Sequence, residues 1–174
     1  MRMNEVVTRS KLNTEDEQLK AVSHNGHIIR FITNPSKDVQ LAAMKQNGYA
    51  LQHIKDQSSI IQMAAISSDP SAIEFIDRID PALLRYLSAK EIIITALLKF
   101  IKEATDDVHP VDSVKNVSMR FIGLLRQAGC KWPELDIIEK SVRSLSDPQM
   151  DDDAINEVEL QIGFNPQKIL YHIP

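Results

Sequence analysis

Between residues 14 and 76 the apolar positions come in a block, and the block repeats. A shift of 22 residues lays Thr14–Ile32 (TEDEQLKAVSHNGHIIRFI) over Ser36–Ile54 (SKDVQLAAMKQNGYALQHI) and Ser58–Ile76 (SSIIQMAAISSDPSAIEFI) without a gap. A fixed period of this length marks stacked helical units, each too small to bury its own apolar face. Each copy opens on a hydroxyl residue, Thr14, Ser36 or Ser58, where a helix N-cap belongs. Glu17 completes a T-x-x-E capping box in the first copy.

The columns that follow predict two short helices per copy. Leu19/Leu41/Met63, Ala21/Ala43/Ala65 and Val22/Met44/Ile66 make an apolar stripe, with the alanines small enough to let a neighbour come close. Asn25-Gly26 and Asn47-Gly48 predict turns in which glycine supplies a positive φ after the helix. Asp69-Pro70 takes their place in the third copy, with proline as a first helical residue. Ile28/Ala50/Ala72, Ile29/Leu51/Ile73 and Ile32/Ile54/Ile76 form the apolar face of the second helix. Gln18, Gln40 and Gln62 form an identical polar column, best read as amides bonding between repeats or to loop backbone.

The run from Pro35 to Ile54, P-S-x-x-V-Q-L-A-A-x-x-Q-N-G-x-A-L-Q-x-I, resembles a short helical repeat of bacterial, bacteriophage and large-virus proteins, a family of unknown function. It is also loosely similar to HEAT-like and leucine-rich-variant solenoids. The resemblance covers about residues 14–76. It implies a helical stack and a phage or mobile-element origin, and it supplies no catalytic residues.

Beyond the repeats the pattern stays helical. Asp80-Pro81 opens a helix, and Ser88–Glu91 is a capping box leading into EIIITALLKFIKEA, which is apolar nearly all round and so belongs at the centre of a core. Asp112 or Ser113 is the expected cap of a helix ending at Gly129. Another runs near Glu134–Leu145, and PQMDDD (148–153) is an acidic link. Residues 154–174 read as a degenerate terminal repeat. The fold expected is all-α: a solenoid-like stack over 14–76, a helical region at 80–145 packed on it, and the terminal segment, together one compact unit.

Composition changes this picture little. Apolar residues are 43% and charged residues 25%, as in a folded domain, and few runs alternate with period two, which argues against a sheet-rich fold. Of 20 basic and 24 acidic residues, 9 and 14 fall in residues 91–174, so the negative charge sits in the second half. Without a basic stripe, nucleic-acid binding is disfavoured. The alternative of a nucleic-acid-binding repeat requires Lys20, Arg30, Lys37, Lys45 and Lys55 to form one face. A lone cysteine, a start without an apolar leader core and no membrane-length apolar run place the chain in the cytoplasm, away from membranes.

Candidate chemistry is sparse. His24 and His27 flank a turn, and their counterparts Gln46/Tyr49 and Ser68/Ser71 are not a ligand set, so no metal is expected. Cys130 reads as a buried filler, although an enzyme site combining it with His109 or His172 is a second alternative. Asp151, Asp152 and Asp153 lack a calcium-loop pattern and read as a solvated helix start. Trp132, in a loop, caps the core or anchors a partner. Tyr49 and His53 stand out on the second repeat as an exposed edge. With no P-loop, dinucleotide fingerprint or nucleophile elbow, the reading is a non-catalytic protein-interaction module without a cofactor, an inhibitor or adaptor acting on a host protein. Its candidate contacts are Tyr49, His53, Trp132 and Asp151–Asp153.

Overall fold

The computed structural model describes residues 12–103, 111–145 and 152–163. Every regular element among them is helical, so the fold is all-α, with successive helices packed on one another. The chain divides after Phe75 into two compact units.

In the first unit each repeat gives one α-helix and one 3₁₀ helix. The α-helices are α1 (Glu15–His24), α2 (Lys37–Gln46) and α3 (Ser59–Ser68), and the 3₁₀ segments are Gly26–Phe31, Gly48–His53 and Pro70–Phe75. α1 packs on α2 and α2 on α3, while the 3₁₀ segments stack likewise into a second layer. Each second segment has only six residues between an Asn or Asp and the start of the next loop, a length suited to i→i+3 bonding. Ile28 N–H donates to Asn25 O and Ile32 N–H to Ile29 O, both at 3.0 Å.

The turns correct one expectation. Asn25 and Asn47 are extended, at φ −151° and −158°, and neither Gly26 nor Gly48 has a positive φ. Asparagine serves here as the 3₁₀ cap: Asn25 Oδ1 accepts from His27 N–H at 3.0 Å and Asn47 Oδ1 from Tyr49 N–H at 2.9 Å. Asp69 does the same for Ser71, at 2.9 Å. Glycine is required for space. A Cβ on Gly26 would lie 2.6 Å from Ala43 O, and one on Gly48 would lie 2.2 Å from Ala65 O. The glycine of each turn thus seats on the alanine of the next repeat, which is what the alanine column admits. Gly26 N–H also donates across repeats to Gln46 Oε1 at 2.6 Å.

Burial follows most of the columns, with Ala21 and Ile28 of the first copy only half-buried. Val22/Met44/Ile66, Ile29/Leu51/Ile73 and Ile32/Ile54/Ile76 are all buried. The Leu19/Leu41/Met63 column is only half-buried, and Val39 and Ile61 are buried instead. That column was hard to see because its first member is Glu17, whose carboxylate closes the capping box on Thr14. Of the glutamines, Gln18 Nε2 donates to Leu12 O at 2.9 Å and Gln40 Nε2 to Pro35 O at 3.0 Å, so they hold loop backbone.

The serine caps differ in what they hold. Ser36 Oγ accepts from Val39 N–H at 3.3 Å and donates to the Glu15 carboxylate, whereas Ser58 makes no side-chain cap bond. Ser36→Ala is therefore expected to cost about 1 kcal/mol in denaturant unfolding, the usual value of a cap. Ser58→Ala should stay within about 0.5 kcal/mol of the parent, as for a surface change. Equal losses at the two sites would contradict this assignment.

The second unit contains a 3₁₀ segment, Pro81–Arg85, and helices α4 (Ala89–Glu103), α5 (Val111–Gln127), α6 (Glu134–Ser144) and α7 (Asp152–Gln161). Asp80 caps the 3₁₀ segment, its Oδ1 accepting from Ala82 N–H at 3.0 Å. α4 is the core helix its pattern predicts, with Ile93, Ile94, Ala96, Leu97, Leu98, Phe100 and Ile101 all buried. α5 spans Val111–Gln127, so Asp112 and Ser113 lie in its first turn and are not the cap expected. It stops at Gly129, at φ 93°, with Cys130 N–H bonded to Leu125 O and Gly129 N–H to Arg126 O, the pairing of a Schellman motif. Arg126 clamps α5 to α6 through Asp136 (2.5 Å) and Glu139 (2.6 Å). The segment read as a terminal repeat lies outside the described residues from 164 onward.

Candidate functional site

The 3₁₀ layer carries its polar and aromatic residues in register. One column is His27/Tyr49/Ser71, and another is Phe31/His53/Phe75. Stacking brings His27, Tyr49, His53 and Phe75 into a row of rings in the first unit. His27 meets Tyr49 edge-to-face at 6.1 Å and His53 at 5.9 Å, and Tyr49 meets Phe75 at 4.6 Å. Arg30 lies 4.5 Å over the ring of Phe31. Phe31 is 46% exposed and Tyr49 39%, which is unusual for large rings set beside a well-buried core. Because each ring stands on a capped 3₁₀ turn clamped between repeats, the row is held by the stack and not by a loop.

The two imidazoles are not equivalent. Asn47 has its Oδ1 committed to Tyr49 N–H, so its Nδ2 faces Nε2 of His27 at 3.2 Å. His53 has its pKa lowered from the usual imidazole value, first by burial and then by the neighbouring His27 and Arg30.

Of the residues singled out in the sequence, Tyr49 and His53 are brought together in this ridge. His27, read there as an ordinary turn residue, and Phe75 complete it. The signal that could have found them was the 31/53/75 column, in which two phenylalanines flank a histidine. Trp132 is half-buried in the second unit, where its carbonyl accepts from Leu135 N–H at the start of α6. Asp151 lies outside the described residues, as do the side chains of Asp152 and Asp153, whose backbone opens α7.

Cys130 is buried, and burial pushes its thiol above the ordinary range, the opposite of what a nucleophile needs. Nearby, burial opposes ionisation of Glu134, but its bond to Lys90 (2.5 Å) outweighs this and holds the carboxyl below its usual range. His109 and His172, the partners considered for Cys130, lie outside the described residues. No group of three His, Cys, Asp or Glu side chains suited to a metal occurs among the described residues. Lys20, Arg30, Lys37, Lys45 and Lys55 are all exposed but occupy five different columns of the repeat. A groove of about 560 Å³ between α6 and α7 is lined by Asp136, Lys140, Ser141, Glu157 and Val158, among others. No helix among the described residues is long and apolar enough to cross a membrane. No family model, no curated protein and no solved structure matches the chain.

Proposed function

We propose that this chain is a non-catalytic protein-interaction module that engages its partner through the ring ridge of the 3₁₀ layer. The observation that carries the reading is the continuity of that ridge: side chains from three successive repeats touch in one row, with Tyr49 open to solvent. Rigid, half-exposed aromatic rings give contact area at little cost in conformational entropy, which is why such residues dominate binding energy at protein interfaces. The fitting occupant is a protein surface presenting apolar side chains, since the ridge carries one guanidinium, Arg30, already laid on Phe31. The repeat's resemblance to phage and large-virus repeats makes a host protein the natural partner class, with this chain as inhibitor or adaptor. A lone cysteine suits action in the cytoplasm.

Site-specific photocross-linking tests this. A photoreactive residue at Gln52, one 3₁₀ turn from Tyr49, should give a discrete protein adduct in the cell that makes the chain, and one at Lys37 on α2 should not. Tyr49→Ala should reduce the adduct by roughly tenfold or more, as expected for a central aromatic contact. Equal labelling from both positions, or indifference to Tyr49→Ala with the helix content intact, would overturn the reading.

A further inference from the structure

Resting on the reading of the ridge as a contact surface, we propose that His27 and His53 make it a proton-operated one. It presents its rings to an apolar partner while both imidazoles are neutral, and it lets that partner go as they become charged.

The geometry supplies the mechanism. Asn47 is oriented by Tyr49 N–H, so the end it turns toward His27 is an N–H donor. Nε2 of His27 must then accept, which places the ring proton on Nδ1. A charged imidazole donates from both nitrogens, and the contact becomes donor against donor. Asn47 cannot answer by flipping its amide without giving up the cap on the second 3₁₀ segment. The disturbance reaches the ridge directly, because Tyr49 sits edge-on between His27 and Phe75.

His53 adds the second half. Its ring centre is 5.9 Å from that of His27, and two cations so close in a half-buried setting repel. The charged and titratable groups on and around the 3₁₀ layer include His24 in the last turn of α1, Lys45 in the last turn of α2, Arg30 on the first segment, Asp69 capping the third and Glu74 within it. The charges acting on His53 are His27 and Arg30, both of which disfavour its protonation, after burial has already done so. A histidine whose folded pKa lies below its unfolded value leaves stability intact above about pH 6.5 and erodes it as the pH falls through and below that point. Acid therefore loosens the ridge and at the same time charges a surface suited to apolar contact.

Two measurements on the full chain test this separately. Imidazole ¹⁵N spectra between about pH 8 and pH 5 should show His27 with its proton on Nδ1 at the upper end. The Tyr49 ring and Asn47 amide signals should move together with those of the His53 ring over the same pH range. Independent titration with those signals unmoved would overturn the switch. In the second measurement, the Gln52 photo-adduct should fall roughly tenfold between about pH 7.5 and pH 5.5, with helix content retained; His53→Gln should shrink that ratio, and in the His27→Gln/His53→Gln pair whatever adduct forms at the higher pH should be unchanged at the lower. An adduct lost equally in parent and histidine variants would overturn the switch and leave the binding reading standing. If no adduct forms at any pH, the binding reading fails, and the spectra alone decide the switch.

Discussion

Replacing Ile54 by alanine is expected to cost about 3 kcal/mol in denaturant unfolding, within the 2–5 kcal/mol range for a buried large-to-small change. Ile54 is 7% exposed and lies where the second 3₁₀ segment hands the chain to the next loop, its N–H bonded to Leu51 O at 2.9 Å. It shares its column of the repeat with the buried Ile32 of the same unit, so truncation opens a gap in the interior of the stack. Lost transfer energy and the unfilled cavity both act, because flanking repeats locked by their turns cannot close the gap. The half-buried Leu41 supplies the comparison: Leu41→Ala removes as many carbons from a partly wet site and should cost clearly less. A loss below about 0.5 kcal/mol for Ile54→Ala would mean that the isoleucine column is not core.

This contrast marks how far the sequence could be read. The period, the caps at Thr14 and Ser36, the isoleucine column and the deep burial of α4 were legible, because each is a one-dimensional pattern with a single physical solution. Whether Leu41 or Val39 turns inward was not, because on a ten-residue helix the two differ by two positions and the first copy hides the column behind Glu17. The ridge was half legible. Tyr49 and His53 were visible as odd residues, yet their joining with His27 and Phe75 depends on how neighbouring repeats stack, which no single repeat reveals. The Asn-Gly turns show the limit most clearly: the residues were identified as a turn, but the reason for glycine was placed in its own backbone angle when it lies in the next repeat's alanine.

That reason makes Gly48→Ala the most informative substitution in the stack. It is expected to destabilise the chain by about 3 kcal/mol, the upper end of what overpacking a well-filled interior costs. The added Cβ would sit 2.2 Å from Ala65 O and 3.0 Å from its carbon, so the obstacle is backbone, which cannot rotate aside. Relief requires α3 to move away from the second 3₁₀ segment, which would open the buried contacts of Leu51 and Ile66. Gly26→Ala meets Ala43 O at 2.6 Å, with the flexible Gln46 carboxamide as its second neighbour, and should cost less than Gly48→Ala. Gly123, within α5, has nothing within 4 Å of an added Cβ. There alanine should stabilise by up to about 1 kcal/mol, the helix-propensity gain over glycine. The ordering Gly48, then Gly26, then a gain at Gly123, read from denaturant midpoints, separates steric seating from backbone freedom. If positive φ were what the turns need, Gly26 and Gly48 would respond alike and the carbonyl distances would not rank them.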